Sequence, residues 1–135
     1  AGCERVCGQL MRHGIRVDRL DQPVTLPGRQ FQTTTMKLDN WVQEGHVRVS
    51  LEGDWQDVRI EAERGFFIVR LDQPLARLAA LLLEPDHDDS LAAWGFFNIW
   101  VTRQWYRDLP PLPVYRAEAP FPAVSRRVAP EEVEF

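Results

Sequence analysis

The sequence predicts an α+β fold: a mostly antiparallel sheet carrying an N-terminal helix and a buried helix near residues 74–83. Three observations predict it. Cys3, Val6, Cys7, Leu10 and Met11 recur at helical spacing and form one apolar face, with Glu4, Arg5, Gln9 and Arg12 opposite. Several segments between His46 and Leu71 alternate apolar and polar residues and are separated by short turn-like stretches. Between Leu75 and Leu83 only Arg77 is polar, the pattern of a helix covered on several sides. A two-sheet β-sandwich with peripheral helices is the alternative.

The elements follow in order. Gly14 stands where a left-handed cap would close the first helix. "IRVDRL" then alternates like a strand, placing Ile15 and Val17 on one face. "PVTLPG" reads as a break containing two prolines, and "RQFQTTTMKL" is strand-prone through Phe31 and three consecutive Thr. "DNWVQEG" reads as a loop. "HVRVSL", "DVRIEA" and "FFIVRL" then form a meander, turning at "EGD" and "ERG".

Pro74 suits a first helical turn, because its missing N–H is harmless there. Asp72 or Gln73 would cap this helix, and Pro85 stops it. "LAAWGFF" is expected to be a short helix beginning at Asp89 or Ser90. "NIWVTRQWY" leans towards a strand, and "LPPLPVY" is held extended by its prolines. Residues 1–116 are therefore read as a single α+β domain. Residues 117–135, rich in proline and acid, are read as a poorly ordered tail.

A chain of 135 residues can bury a core without staples. The net charge is −4, with both signs spread through the sequence, which argues against a dedicated nucleic-acid binder. No apolar run is long enough to span a bilayer, and no signal-peptide pattern opens the chain. Cys3 and Cys7 lack the C-x-x-C spacing of redox and zinc motifs and read as small core residues.

The stretch "EPDHDDSLAAWGFF" holds the most chemistry: acids and His87 directly ahead of Trp94, Phe96 and Phe97. A carboxylate cluster with one His could bind a divalent ion. Yet His87 has no H-x-x-H or H-x-x-E partner, and no calcium-loop register is present. Acids before an apolar run are what a helix N-terminus prefers, so Asp89 and Ser90 are read as a cap. His13 reads as a helix C-terminal residue and His46 as an exposed strand start. Ser50, Ser90 and Ser125 have no nucleophile signature. The aromatics Trp94, Phe96, Phe97, Trp100, Trp105 and Tyr106 read mainly as core. Exposed members of the set would make a stacking platform or a docking surface.

The ordered segments "LMRHGIRVDRL", "EGHVRVSLEGDW", "FFIVRLDQPLARLAALLLEPDHDDSLAAWGFFN" and "LPPLPVYR" resemble the C-terminal region of bacterial zinc carboxypeptidase-family proteins, relatives of carboxypeptidase A. The resemblance runs from about Cys3 to Arg116, and the central block is its specific part. It implies a zinc-binding H-x-x-E pair with a later His, a Glu base and a carboxylate-binding Arg, all in a catalytic domain. None of these transfers here, because His13, His46 and His87 are followed at the third position by Arg16, Val49 and Ser90.

The resemblance thus implies a non-catalytic accessory domain that docks on the catalytic domain of the same polypeptide, with zinc belonging to that parent. No catalytic or metal residue, cofactor, nucleic acid or membrane partner is assigned to this chain. An isolated domain of this kind should expose an apolar patch. The alternatives are a peptide- or glycan-binding module using exposed aromatics, and an independent hydrolase using His46 or His87 with nearby carboxylates.

Overall fold

A computed structural model describes residues 2–101, 111–120 and 125–135. The α+β class holds, and the strands divide into two three-stranded antiparallel sheets. The first helix, α1 (Cys3–Arg12), buries Val6, Cys7 and Leu10. Its end is closed as expected: Gly14 is left-handed, with φ 82°, and the Ile15 N–H donates to the Leu10 carbonyl over 3.1 Å. Among the described residues no helix is long and apolar enough to cross a membrane.

Two strands dominate, β2 (Val24–Gln43) and β3 (His46–Ala62), which pair as one hairpin ribbon. They depart from the sequence reading in three ways. "PVTLPG" and "DNWVQEG" are largely strand rather than break and loop. The chain reverses only at Glu44–Gly45, both left-handed (φ 52° and 77°) as a two-residue hairpin turn requires. "EGD" does not turn the chain at all. Gly53 lies mid-strand opposite Thr33, and a Cβ there would sit 2.1 Å from the Gln32 carbonyl oxygen and 2.9 Å from the Phe31 ring. The glycine serves close approach within the ribbon.

The meander does not form: its first two segments are one strand, β3, and its third goes elsewhere. After Ala62, β4 (Phe67–Ile68) does not return along β3 but pairs with β1 (Asp18–Leu20). Leu20 fixes that crossing: its N–H donates to the Phe66 carbonyl over 2.9 Å and its carbonyl accepts from Gly65 N–H over 2.8 Å. β5 (Tyr115–Ala117) joins β2, and β6 (Ser125–Arg127) joins β1. The sequence leaves little to pack beyond residue 117, but residues 125–135 do pack. Val128 is buried, Glu134 N–H donates to the Glu4 carbonyl over 3.4 Å, and Arg126 pairs with Glu132 at 2.5 Å. These segments are too short to show periodicity, so only their partners reveal them.

α2 (Ala76–Leu83) begins after Leu75, and neither Asp72 nor Gln73 caps it. The Gln73 side chain is engaged elsewhere: its Oε1 accepts from Arg16 N–H over 2.7 Å, and its Nε2 donates to the Arg16 and Arg70 carbonyls. Ala79 and Leu82 are buried, and Leu78, Leu81 and Leu83 pack against the core from its margin.

One core gathers α1, Ile15, Val17, Phe31, Val49, Leu51, α2, Phe97 and Leu112. A smaller one joins Leu20 and Ile68 to Leu26, Ile60 and Ala62 at the open end of the ribbon. Phe31 is the hinge of the main core. Its ring meets Trp55 edge-on at 5.5 Å, and its carbonyl accepts from Leu112 N–H over 3.0 Å.

The core location of Cys7 determines its chemistry. Burial, reinforced by Cys3 and Glu4, pushes its thiol from an ordinary value of 9.0 up to about 12. The folded state therefore holds a neutral thiol. Its contribution to stability is intact below the unfolded value and is lost as pH rises towards about 12. Native alkylation with iodoacetamide at about pH 8 is expected to leave Cys7 unmodified, while urea-unfolded chain is modified at both cysteines; a Cys7 adduct on the folded protein would contradict this packing.

Gly53→Ala is expected to destabilise the fold by about 1–3 kcal/mol, the usual range for forced overpacking, read as a lowered urea midpoint. An unchanged midpoint would mean that the ribbon is not this tight at Gly53.

Candidate functional site

The acidic stretch after α2 folds as a chain of tight turns. His87 N–H donates to the Glu84 carbonyl, Ser90 N–H to the His87 carbonyl, each over 3.1 Å, and Leu91 N–H to the Leu82 carbonyl over 2.8 Å. The His87 imidazole accepts from Asp89 N–H through Nδ1 at 3.1 Å. The Arg48 guanidinium donates to the Asp88 carbonyl and lies 3.4 Å from Asp89 Oδ1. These acids therefore tie the turn to β3. Among the described residues no group of three or more His, Cys, Asp or Glu side chains is placed to hold a metal ion.

Ser90 is buried, and its Oγ accepts from Ala93 N–H over 3.2 Å, the bond of an N-cap. No helix follows it, contrary to the expectation for "LAAWGFF". The reason is tertiary. The Ala93 carbonyl, which a helix would need for its own ladder, accepts from Val49 N–H on the edge of β3 over 3.0 Å. The segment is thereby held against the sheet edge, and helix appears only at α3 (Asn98–Val101), where the sequence leaned towards a strand.

The aromatic side chains separate by environment. Phe97 is in the core, 5.6 Å from the Trp100 ring, and Trp100 and Phe96 pack at the core margin. The Arg5 guanidinium lies over Phe96 at 5.4 Å. Trp105 and Tyr106 lie outside the described residues. Trp94 is exposed, and its ring stacks on His46 at 5.7 Å with 23° between planes. His46, expected to be exposed, is half-buried by that stack, and its Nε2 is shielded from solvent without a hydrogen-bond partner. A stacking platform needs several adjacent open ring faces, and Trp94 already has one face against His46.

A larger apolar surface lies at the closed end of the ribbon, on the face opposite His46. Leu38 and Val49 are cross-strand partners, as are Val42 and Val47. Val49 and Leu51 point into the core, so Val47, two residues before Val49, lies on the same face, together with Val42 and Leu38 opposite. The inner apolar face of the ribbon thus continues past the core that covers it. Leu38, Trp41, Val42 and Val47 are 59%, 66%, 66% and 38% exposed.

Between Leu38 and Val42 the pairing register shifts, so Asp39, Asn40 and Trp41 form a bulge that carries Trp41 outwards. The sequence reading set these residues aside as loop. The signal available was the apolar alternation on both sides of "QEG", the pattern of a hairpin.

No protein-family model matches the chain, and no solved structure matches it. Its sequence is similar to curated fungal proteins. It is 27% identical to "Carboxypeptidase 2" of Trichophyton tonsurans over 105 residues, which are 78% of this chain and 18% of that protein. It is 29% identical to "Carboxypeptidase 2" of Trichophyton equinum over 86 residues, 64% of this chain and 16% of that protein. The chain therefore spans less than a fifth of the length of these relatives, which are fungal where the sequence motifs suggested bacterial ones. It is distantly similar, over most of its length, to carboxypeptidase 2.

Proposed function

We propose that this chain is a non-catalytic accessory domain of a carboxypeptidase-like protein, packed against the remainder of the same polypeptide. There it would stabilise the peptide-cleaving part or shape access to its cleft. The observation that carries this reading is the similarity of 78% of this chain to only 18% of a protein named carboxypeptidase 2, on a domain that leaves several large apolar side chains exposed. Exposed apolar side chains are what a domain–domain contact leaves behind when one side is viewed alone.

Zinc binding and water activation would then belong to the peptide-cleaving part, as in zinc carboxypeptidases generally. Among the described residues no three His, Cys, Asp or Glu side chains come together to hold a metal ion, and several are engaged otherwise. Asp18 meets Arg70 at 3.2 Å, Glu84 pairs with Arg116 and accepts from Trp55 Nε1 at 2.9 Å, and Cys7 is buried.

The test is to express the full reading frame that contains this chain, alongside the same protein lacking it. Removing the domain is expected to lower the melting temperature of the peptide-cleaving part by several degrees, while the isolated domain releases no C-terminal residue from peptides. Peptide turnover by the isolated domain would overturn the proposal, as would a reading frame with no carboxypeptidase-like region.

A further inference from the structure

More than one surface of the domain is a candidate for contact with the rest of the polypeptide. Exposed apolar side chains occur in several places. Phe66, Leu71 and Leu75 follow the ribbon in sequence, Tyr115 lies on β5, and Phe135 lies beneath the Arg12 guanidinium at 5.6 Å. We propose that the closed end of the β2–β3 ribbon, with Trp41 as its anchor and Leu38, Val42 and Val47 beside it, is where this domain docks onto the carboxypeptidase-like remainder of its own polypeptide. This rests on the accessory-domain reading.

Three features single out this end. The first is register. Leu38, Val42 and Val47 belong to the ribbon face that is core elsewhere, where Phe31, Val49 and Leu51 are buried. A strand face patterned for burial and left uncovered invites pairing or aggregation unless something covers it.

The second is the bulge at Asp39–Trp41. A bulge re-aims a side chain, and here it presents the largest apolar side chain of the ribbon end to solvent. Tryptophan contributes a large apolar area through a side chain with few rotatable bonds, which is why it dominates interface energetics.

The third is support from behind. The ribbon end is held by the His46–Trp94 stack, by the Val49 N–H to Ala93 carbonyl bond, and by Arg48 donating to the Asp88 carbonyl. A surface already held in place loses little conformational entropy when it binds. Neither Leu71 nor Phe135 combines these features.

The occupant is the remainder of the polypeptide because of size. The matched relatives are more than five times longer than the aligned segment, since that segment is 18% and 16% of their length. A contact of about 600–1,500 Å² is usual between domains of one chain, and exposed Trp41 with Leu38, Val42 and Val47 beside it would form the apolar centre of such a contact. Charged residues edge the patch, Lys37 and Glu44 on the ribbon and Arg48 behind it, as expected for a polar rim around an apolar centre.

The experiment uses the full polypeptide with a protease site placed between this domain and the remainder. After cleavage, association of the two pieces is measured by gel filtration and titration calorimetry. Trp41→Ala combined with Val47→Ser is compared with wild type and with Leu71→Ala. Because Trp41 and Val47 are exposed, circular dichroism melts of the isolated domain should be nearly unchanged, separating lost docking from lost folding.

The expected result is association of the wild-type pieces, weakened at least about tenfold by the Trp41/Val47 pair and unaffected by Leu71→Ala. Equal binding by the Trp41/Val47 variant would overturn this inference while leaving the accessory-domain reading in place. Wild-type pieces that never associate would overturn both. A Trp41-dependent dimer of the isolated domain that persists beside the remainder would assign the surface to a second copy and also overturn the inference.

Discussion

The β2–β3 ribbon is longer than the body that covers it, and the rest of the structure is arranged around that inequality. A two-stranded ribbon is marginal in water unless one face is packed. Here α1, α2 and the turns around Leu91–Phe97 cover the middle of one face, the small sheet of β4, β1 and β6 covers the opposite face at the open end through Leu20 and Ile68, and the closed end is left. The same alternation that buries Phe31 and Leu51 brings Val42 and Val47 to the surface. An exposed apolar end is thus a consequence of ribbon length.

The edges of the ribbon are treated as carefully as its face. β5 pairs with β2 on one side. On the other, the Ala93 carbonyl accepts from Val49 on β3, which costs the segment after Ser90 its helix. Glu84 brings distant parts together, accepting from Trp55 of β3 and pairing with Arg116 of β5, whose guanidinium also lies over the Trp55 ring at 4.0 Å. Charges shared among a ring, a carboxylate and a guanidinium at a partly exposed site contribute modestly to stability. Their effect is to fix the register of α2 against the sheet.

This arrangement gives the acidic stretch a structural role. Asp88 and Asp89 meet Arg48, Ser90 closes a turn, and His87 accepts from its neighbour's backbone. In the accessory-domain reading these residues hold Trp94 and the ribbon end in position.

The fold class, α1 with its Gly14 closure, the position of α2 and the apolar alternation within β3 are legible in the sequence. These rest on periodicity and local turn chemistry, which act over a few residues. Tertiary structure decided the rest. Gly53 reads as a turn until the Gln32 carbonyl and the Phe31 ring are seen to occupy the space its side chain would need. "LAAWGFF" reads as a helix until Val49 claims the Ala93 carbonyl. Residues 125–135 read as a tail until β1 and α1 supply partners. Trp41 illustrates the limit most directly. Its apolar character is plain in the sequence, but whether an apolar side chain is core or surface depends on how far the covering elements reach, and that is settled only when segments distant in sequence are packed together.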